Sequence, residues 1–415
     1  MARSEAAPAL TLIPADDARR ILADTPPVGN ERVTIGDALG RVLAAPFRAP
    51  ADLPGERRAV MDGYAVRGAD VRGASALSPV VLTVTGTVPM GDVFPRGVGA
   101  AEAVAIATGG FIPEGADAVV MVEHTAALEG GARVEISRAV SKGANVVERG
   151  EDLARGAAVL PSGRRLRPQD LAMLATFGVT AVDVHRRPRV AVLSTGNELC
   201  DPGQTPRPGQ VRDANQTALG AQVTAAGCDV TYGGIIPDDA YTLRRAIARL
   251  LDQQDAVILS GGSSIGTKDV SADALADLAP PGVLFHGIDI RPGKPTLFAR
   301  AGSKPVVGMP GFPTSSLIVF DAFIRPMLWR LGGEAARDPW LARRAARIGR
   351  EHRSVVGRED YLRVRVVERE GALWADPLPG GSATLSNVVY ADGLVRVDAA
   401  VPGLAAGDPV DVLLY

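Results

Sequence analysis

The sequence predicts a multidomain chain of mixed α/β and β fold class, and three observations predict it. Strand and helix patterns alternate between residues 187 and 330. Short apolar runs separated by Gly and Pro come before that region, and a strand-like period of two returns after Pro339. The length of 415 residues is too great for one ordinary core, since a domain has roughly 150 residues. We therefore expect a three-layer α/β/α domain, a β-rich insertion and a small C-terminal β domain.

The predicted domain boundaries follow these changes of pattern. Residues 1–55 and 145–186 form a discontinuous N-terminal and linker domain, 56–144 the β-rich insertion, 187–330 the α/β domain and 331–415 the C-terminal β domain. A Pro-punctuated loop precedes the insertion, and a polar, Gly-rich stretch follows it. We therefore expect the chain to leave the N-terminal domain for the insertion and then to return to it.

Composition argues against several classes of protein. A net charge of −2 with 22% charged residues is not typical of a dedicated nucleic-acid-binding protein, which needs a clustered surplus of Lys and Arg. Cys200 and Cys228 are too few for a disulfide scaffold or a Cys-based zinc site. The first 22 residues lack the apolar run of a signal peptide, and no stretch is apolar enough for a membrane span. We expect a cytoplasmic protein that binds neither nucleic acid nor membrane.

Within the α/β domain, each predicted strand leads into a polar or glycine-rich loop. The predicted strands are 190–193, 230–236, 256–259 and 306–308, and the predicted helices are 214–226, 239–251 and a third that carries Leu317, Phe320, Ile324, Met327 and Leu328. Strands connected through helices form parallel sheets. Because the carboxyl ends of parallel strands meet at one edge, where ligands bind in such sheets, we expect these loops to converge there.

The converging loops combine groups that suit a phosphate-bearing ligand with a divalent metal ion. Gly261 and Gly262 allow the backbone to approach phosphate oxygens and offer amide donors. Arg291 and Lys294 can neutralise the charge of the ligand. Carboxylate and water oxygens are the ligands that Mg²⁺ prefers. The candidate carboxylates are Glu198, Asp238, Asp239 and Asp269.

Each of these residues also has a purely structural interpretation. Gly261-Gly262 is a common turn after a strand, and the run 261–268 is not a phosphate-binding P-loop because a Thr precedes its Lys. Asp238 and Asp239 could cap the following helix, and the sequence leaves open which of the two carries a functional role. The functional prediction therefore depends on the convergence of several loops.

Motifs along nearly the whole chain occur in the order and at the spacing of a known family. They are Met61-Asp62-Gly63-Tyr64-Ala65, the run 107–123 with Thr108-Gly109 and Gly115-Ala116-Asp117-Ala118-Val119-Val120, the segments 194–198, 213–215, 234–239, 260–269, 291–297 and 308–315, and Gly357-Arg358-Glu359-Asp360-Tyr361-Leu362-Arg363-Val364. With these motifs the sequence resembles the molybdopterin molybdenumtransferase (MoeA and gephyrin E-domain) family.

The resemblance implies a reaction and an assembly. It implies that adenylylated molybdopterin and molybdate give molybdenum cofactor and AMP in the presence of Mg²⁺, with the α/β domain binding molybdopterin. It implies a homodimer of elongated four-domain subunits, whose active cleft lies between the α/β domain of one subunit and the β-rich insertion of its partner. Asp62 and Thr108 would then act across the dimer. Enzymes of molybdopterin synthesis and molybdoenzymes are candidate partners.

The resemblance also implies roles for individual residues. The catalytic residues would be Asp62, Glu198, Asp238, Asp269 and Lys294, of which Glu198, Asp238 and Asp269 would also be metal ligands. The substrate-binding residues would be Thr108, Gly261, Gly262, Ser264, Arg291, Pro310, Gly311, Pro313, Arg358, Arg363 and Ser382. Arg358 or Arg363, with Ser382, matches the C-terminal side of the molybdate pocket. Arg291 and Asn197 depart from the family pattern, which usually has Lys and Asp there.

Three other functions share these residues. An adenylyltransferase that activates molybdopterin with ATP would have the same α/β domain, although the additional domains favour metal insertion. A non-catalytic scaffold would not need four carboxylates and a lysine at one cleft. The residues meant are Asp62, Glu198, Asp238, Asp269 and Lys294. A tungstate insertase is not distinguished from a molybdate insertase, because the two oxyanions are nearly isosteric.

Overall fold

The computed structural model describes residues 10–262 and 270–415. The chain divides into two compact units. The smaller unit contains Pro46–Pro161 and Met173–Val179, and the larger unit contains the described residues before Pro46 together with Ser162–Ala172 and Thr180–Tyr415. The smaller unit thus covers the β-rich insertion and some of the chain on either side of it, and the four-domain boundaries stay a prediction.

A six-stranded sheet forms the centre of the α/β region in the larger unit. In spatial order its strands are Asp229–Ile236, Arg189–Thr195, Ala256–Ser260, Lys304–Met309, Leu297–Ala301 and Pro281–His286. The first four run parallel, as the sequence predicts. Leu297–Ala301, which is not among the predicted strands, runs antiparallel to both neighbours. Only a short turn connects this strand to the next one, and such a turn can join only antiparallel strands.

Helices cover both faces of this sheet. The helices are Asn215–Ala225, Ala240–Gln253, Val270–Leu275, Pro313–Val319 and Arg325–Leu331, with one π-helical turn at Phe320–Ile324. Successive strand residues point to opposite faces. Val192 therefore packs in the same cluster as Leu219 of the first helix, while Leu193 packs with Leu243 of the second. The predicted three-layer α/β/α arrangement is confirmed.

Two aspartates fix the starts of the first two helices. The Asp239 carboxylate accepts a hydrogen bond of 2.7 Å from the backbone N–H of Thr242 and is the N-cap of Ala240–Gln253. Asp213 accepts a hydrogen bond of 3.1 Å from the backbone N–H of Gln216. Each bond satisfies a helix-terminal donor that would otherwise lack a partner. The structural interpretation of Asp239 is therefore confirmed.

The C-terminal region contains a second six-stranded sheet. In spatial order its strands are Ile290–Arg291, Glu359–Arg369, Ala372–Pro377, Arg343–Ile348, Pro409–Leu414 and Gly393–Val397. Glu359–Arg369 also pairs with Gly393–Val397, which closes the five longer strands into a ring. Ile290–Arg291 comes from the α/β region and pairs with Glu359–Asp360. The closed β region is thereby attached to the α/β region by strand pairing.

The strand Glu359–Arg369 of this ring is buried on both of its faces near its first residues. The alternation of Leu362 and Val364 with Tyr361 and Arg363 predicts one apolar and one polar face. In the structure Tyr361 is only 3% exposed and belongs to the main apolar cluster of the α/β region. The strand is therefore covered by the ring on one face and by the α/β region on the other.

The remaining elements are short. The larger unit also contains the helices Ala15–Ala23 and Ser386–Val389. A three-stranded sheet consists of Asn30–Thr34, Ala181–His185 and Val42–Leu43. Two strand pairs are Leu199–Cys200 with Val211–Arg212, and His352–Arg353 with Gly403–Leu404. In the smaller unit the elements are the sheet of Ala118–Met121, Gly63–Val66, Glu102–Ile106, Val80–Thr87, Arg133–Ile136 and Thr125–Leu128, and the pairs Arg58–Ala59 with Val146–Val147 and Phe47–Arg48 with Ala158–Leu160. Helix Pro168–Thr176 contributes residues to both units. No helix in the described ranges is long and apolar enough to cross a membrane.

Candidate functional site

A cleft of about 1430 Å³ opens in the larger unit where the loops after the parallel strands meet the C-terminal region. We call its two sides the α/β wall and the C-terminal wall. The α/β wall consists of residues 198–199, 211–215, 261–262, 289–295, 310–313 and 315, and the C-terminal wall consists of residues 350–352, 358, 360–363 and 377–382. The predicted convergence of the loops at the strand ends therefore holds in the structure.

The turn at Gly261 and Gly262 can be formed only by glycine. Both residues have left-handed backbone conformations, with φ of +93° and +67°. A Cβ atom on Gly261 would lie 2.1 Å from the carbonyl oxygen of Thr195, and one on Gly262 would lie 2.5 Å from Ser271 Oγ. Ser271 Oγ in turn donates a hydrogen bond of 2.9 Å to the Gly261 carbonyl. The turn is thus tightly held, and it presents backbone to the cleft.

A second turn, Pro310–Pro313, is held by the two helices beside it. Pro313 is the first residue of the helix Pro313–Val319, a position at which its missing N–H costs nothing. Asn215 Nδ2 donates a hydrogen bond of 2.8 Å to the Gly311 carbonyl, and Ser316 Oγ donates one to the Pro310 carbonyl. This second turn is therefore preorganised in the same way as the first.

The loop 291–295 brings two cations to the α/β wall. Gly293 has a φ of +114°, and a Cβ atom there would lie 2.2 Å from Val319 Cγ2, so the loop lies directly against a helix. Lys294 is exposed, and its ammonium group has no hydrogen-bond or ion-pair partner within the described ranges. The Arg291 side chain is 61% exposed and lies 3.9 Å from Asp360 Oδ2. Both cations are available to an anionic ligand.

A buried carboxylate, Asp360, lies in the C-terminal wall and is only 1% exposed. Arg358 donates to it twice, from Nε to Oδ1 at 2.8 Å and from Nη2 to Oδ2 at 3.2 Å. His352 Nε2 lies 3.0 Å from Oδ2. Burial raises the pKa of Asp360, but the hydrogen bonds from Arg358 and His352 act in the opposite direction and outweigh burial. The net pKa of Asp360 therefore lies below the ordinary value. The group is therefore ionised at neutral pH.

Arg363, in contrast, is a buried cation without a carboxylate partner in the described part of the chain. It is 9% exposed, its Nη2 donates a hydrogen bond of 2.7 Å to the Gly380 carbonyl, and its Nε has no partner there. Burial lowers the pKa of Arg363, the interaction with Tyr415 raises it and the charge of Arg291 lowers it, and the net pKa lies below the ordinary value. Gly380 belongs to the loop that carries Ser382 into the cleft. A buried guanidinium that lacks a counter-ion favours an anion beside it.

The chain matches three known families, one after another along its length. Residues 13–178 match the MoeA N-terminal region (domains I and II), residues 191–330 match a probable molybdopterin binding domain, and residues 345–415 match the MoeA C-terminal region (domain IV).

Individual relatives match over most of the chain. The molybdopterin molybdenumtransferase of Bacillus subtilis is 32% identical over 410 residues, which cover 97% of this chain and 94% of that one. The molybdopterin molybdenumtransferase of a Nostoc species is 36% identical over 308 residues, covering 74% of this chain and 70% of that one. The crystal structure of the molybdopterin biosynthesis MoeA protein from Pyrococcus horikoshii aligns with a TM-score of 0.83 at 29% identity, covering 98% of this chain and 100% of that one.

The chain belongs to the MoeA family. As a MoeA-family protein it is a transferase of molybdenum cofactor biosynthesis, and the resemblance and fold class predicted from the sequence are confirmed.

The cleft of this MoeA-family protein contains most of the predicted site residues. Those that line it are Glu198, Gly261, Gly262, Arg291, Lys294, Pro310, Gly311, Pro313, Arg358, Arg363 and Ser382. Asp238 is not among the lining residues. Asp62 and Thr108 lie in the smaller unit, and Ser264 and Asp269 lie outside the described residues. The functional roles of all these residues stay predictions.

Asp238 holds the loop that follows the strand Arg189–Thr195. Its carboxylate accepts hydrogen bonds from Thr195 Oγ1 at 2.9 Å and from the backbone N–H of Asn197 at 3.3 Å. The backbone N–H of Asp238 donates to Asn197 Oδ1 at 3.2 Å. Asn197, which departs from the family pattern, therefore pairs with Asp238 without placing a second negative charge beside it. With Asp239 capping a helix, both aspartates make structural bonds here.

Asp62 and Thr108, from the two motifs outside the α/β domain, meet within the smaller unit. The Asp62 Oδ1 atom accepts a hydrogen bond of 2.6 Å from the backbone N–H of Thr108 and one of 2.8 Å from its hydroxyl. These two bonds lower the pKa of Asp62, although the residue is exposed. The fold therefore displays an ionised carboxylate in a fixed orientation at the surface.

The described residues supply two free carboxylates at the cleft, those of Glu198 and Asp289. Glu198 lines the cleft, and its carboxylate has no hydrogen-bond or ion-pair partner within the described ranges. Asp238 is bonded within its loop. No group of three His, Cys, Asp or Glu side chains is placed to hold a metal ion among the described residues. Of the predicted ligands only Glu198 is free among the described residues, so the predicted magnesium site depends on Asp269.

The sequence analysis missed His352 and Asp360, which both line the cleft. Asp360 lies within a motif used for the resemblance, but it was given no role. The available signal was its register: Asp360 is in phase with Leu362 and Val364 on the strand, so an acidic residue occupies the apolar face. Buried carboxylates require cationic or hydrogen-bonding partners, and Arg358 two residues earlier is one.

Proposed function

We propose that the protein inserts molybdenum into adenylylated molybdopterin, using molybdate and releasing AMP. The observation that carries the proposal is the pairing of two different walls in one cleft. One wall presents fixed glycine and proline turns, and the other contains Arg363, a buried cation without a counter-ion among the described residues. A substrate that contains a phosphoanhydride, together with a separate tetrahedral oxyanion, suits such a pair of walls.

The oxyanion part of the proposal uses the cations of the cleft. Lys294, Arg291 and Arg363, with the hydroxyl of Ser382, bind molybdate through charge-assisted hydrogen bonds. Arg358 contributes to the same wall while two of its nitrogens bond to Asp360. Because Arg363 is largely buried, its attraction to an anion is screened less by water than that of an exposed arginine.

The phosphate part of the proposal uses backbone rather than side chains. The turn at Gly261-Gly262 lies near the phosphoanhydride of the substrate, and the turn Pro310–Pro313 borders the same space. In the reaction water attacks the phosphorus on the molybdopterin side of the phosphoanhydride, the P–O bond to the adenylyl group breaks, and AMP leaves. The two thiol sulfurs of molybdopterin bond to molybdenum, and one oxo group of molybdate leaves as water with the two thiol protons. Lys294 stabilises the negative charge that develops on the phosphate oxygens.

The remaining expectations belong to the same proposal. The protein acts as a cytoplasmic homodimer, and Asp62, held by Thr108, acts on the cleft of the partner subunit. Mg²⁺ neutralises phosphate charge, with Glu198 and Asp269 as its candidate ligands. Enzymes that make molybdopterin supply the substrate, and molybdoenzymes receive the product.

The test is AMP release from adenylylated molybdopterin by the purified full-length protein, with and without molybdate and Mg²⁺. We expect AMP release to depend on molybdate and to be accompanied by active molybdenum cofactor. Adenylylation of free molybdopterin by ATP, without molybdate-dependent AMP release, would instead place the protein at the activating step. Neither activity in a folded protein would leave the scaffold function. Replacement of molybdate by tungstate in the same assay compares the two oxyanions.

A further inference from the structure

Asp360 is bonded or close to basic side chains from three separate segments of the chain. Arg358 donates two hydrogen bonds to it, His352 contacts it at 3.0 Å, and Arg291 approaches to 3.9 Å. The three partners all line the cleft, whereas the carboxylate itself is almost completely buried. The proposed reaction uses cations at this place and has no use for a negative charge, so the presence of Asp360 needs an explanation.

The backbone that carries Asp360 is fixed on both sides. The neighbouring carboxylate of Glu359 accepts hydrogen bonds from Arg19 Nη1 at 2.8 Å and Nη2 at 2.6 Å, and one of 2.8 Å from the hydroxyl of Tyr361. The strand Ile290–Arg291 pairs with Glu359–Asp360 in parallel register. Asp360 is therefore an anchored point against which long, flexible side chains can be oriented.

Arg358 is the side chain that benefits most from this anchor. Its guanidinium is planar, so the two bonds from Nε and Nη2 define its orientation completely. Its third nitrogen, Nη1, makes no hydrogen bond within the described ranges and stays available to a ligand. Without Asp360, an arginine in this position would lose several rotamers on binding an anion, at a cost in affinity.

We propose that Asp360 is a positioning residue, which holds Arg358, and with it His352 and Arg291, in the arrangement that receives the tetrahedral oxyanion. The inference rests on the proposed function and adds to it the residue that orders the oxyanion site. Asp360 itself does not touch the oxyanion, since two negative groups in contact would repel each other.

A simpler role for Asp360 would be to offset excess positive charge, and the two roles predict opposite signs. If Asp360 only offsets charge, its removal leaves one more positive charge in the wall, and an anion binds more tightly. If Asp360 positions Arg358, its removal frees the guanidinium, and an anion binds more weakly. The direction of the change in affinity therefore separates the two.

The experiment measures binding of molybdate alone to the full-length protein by titration calorimetry, for wild type, Asp360→Ala and Asp360→Asn. We expect the Kd to rise about tenfold in Asp360→Ala, because the freed Arg358 side chain must be ordered when the anion binds. In Asp360→Asn we expect a rise of about threefold, because the amide oxygen still accepts one bond from Arg358. An unchanged or lower Kd in these variants overturns the proposal.

Asp255→Ala is the matched control. Asp255 is also a buried aspartate paired with arginine, since Arg186 donates to it at 2.5 Å and 2.6 Å, but it does not line the cleft. We expect the control to lower thermal stability and to leave the Kd for molybdate at its wild-type value. If Asp255→Ala weakens molybdate binding as much as Asp360→Ala, the effect is one of general stability and the proposal fails. If Asp360→Ala does not fold, Asp360→Asn decides the question by the same criterion.

Kinetics supply a readout that a purely structural role would not move. In the AMP-release assay we expect the Asp360 variants to raise the KM for molybdate and to approach the wild-type rate at saturating molybdate. A lower rate with unchanged KM would contradict positioning of the oxyanion site. If wild type binds molybdate but shows no molybdate-dependent AMP release, the proposed function fails, while the order of the Kd values still decides the role of Asp360.

Discussion

The two walls of the cleft are built on different physical principles. On the α/β wall, the turns at Gly261-Gly262 and Pro310–Pro313 are fixed by backbone conformation and by close contacts with neighbouring elements. On the C-terminal wall, the arrangement depends on charged side chains. Asp360 is paired with Arg358, whereas Arg363 has no carboxylate partner among the described residues. One wall is defined by shape and the other by charge.

This difference predicts how each wall responds to substitution. A change on the glycine turns alters the position of the backbone, so it affects folding and catalysis together. A change on the charged wall leaves the backbone largely in place and alters the affinity for an anion. Substitutions on each wall therefore separate these two responses.

The Gly261→Ala substitution should have the largest effect. The new Cβ would lie 2.1 Å from the carbonyl oxygen of Thr195, in a backbone conformation that alanine avoids. We expect AMP release to fall more than about 100-fold and the melting temperature to fall as well, because the strained turn must move. Enzyme assays and thermal melting of the same preparation measure the two effects.

Gly311→Ala is the control for this prediction. The nearest heavy atom to its added Cβ would be Gly261 Cα at 3.9 Å, an ordinary van der Waals distance. We expect a melting temperature close to that of wild type. Equal loss of stability in the two variants would show that the α/β wall is not defined by close backbone contacts.

The Lys294→Ala substitution should come next. Since Lys294 has no partner within the described ranges, its full charge is available to the ligand. We expect the KM for molybdate to rise roughly 30-fold, with the melting temperature unchanged, since a lost charge-assisted bond to a ligand costs about 2 kcal/mol. Lys142→Ala, a change of an exposed lysine in the smaller unit, is the control and should leave KM unchanged. Wild-type KM in Lys294→Ala would remove this lysine from the oxyanion site.

The Arg363→Met substitution should separate affinity from stability. We expect the Kd for molybdate to rise about tenfold, less than for Lys294, because Arg363 already shares its charge with the Gly380 carbonyl. The melting temperature should stay constant or rise, because a buried charge without a counter-ion is replaced by an apolar side chain of similar size. A clear loss of thermal stability would indicate that Arg363 holds the loop of Ser382 rather than an anion.

The Thr108→Ala substitution should have the smallest effect, and it tests the smaller unit. The hydrogen bonds from Thr108 lower the pKa of Asp62, so the carboxylate stays ionised to lower pH than an ordinary aspartate. Any contribution of the ionised Asp62 carboxylate to activity is fully present above the ordinary pKa of aspartate. It is lost as the pH falls through the lowered pKa of Asp62. Without the hydroxyl, we expect the pKa of Asp62 to rise and the acid limb of the activity profile to move to higher pH, with activity near pH 7 hardly changed. An acid limb that does not move would exclude Asp62 from the reaction.

Much of the larger unit could be predicted from the sequence because its signals are local. The alternation of apolar residues with glycine-rich loops predicted the order of the α/β elements, and Asp239 was a candidate cap at the start of a predicted helix, which the structure confirms. The antiparallel strand Leu297–Ala301 was not predicted, since strand direction depends on which distant strand it joins. The turn at Gly261-Gly262 was seen as a common turn, but only the structure shows the carbonyl of Thr195 that requires glycine there.

The candidate site was predicted less completely than the fold. The glycine turns were predicted because they follow strand ends, and Arg291 and Lys294 were predicted because their loop was expected near the same edge of the sheet. Asp360 and His352 were missed, because their pairing joins residues on different strands and a single sequence does not show which strands will meet. The distinction between Arg358, bonded to a carboxylate, and Arg363, without one in the described ranges, likewise requires coordinates.

The most direct test of the central claim is the location of molybdate in a crystal of the wild-type protein soaked with it. Anomalous scattering measured at the molybdenum absorption edge identifies the metal unambiguously. We predict a single strong anomalous peak in the cleft, between Lys294 on the α/β wall and Arg363 with Ser382 on the C-terminal wall. A fully occupied peak elsewhere, with none in the cleft, would contradict the assignment of this cleft to molybdate.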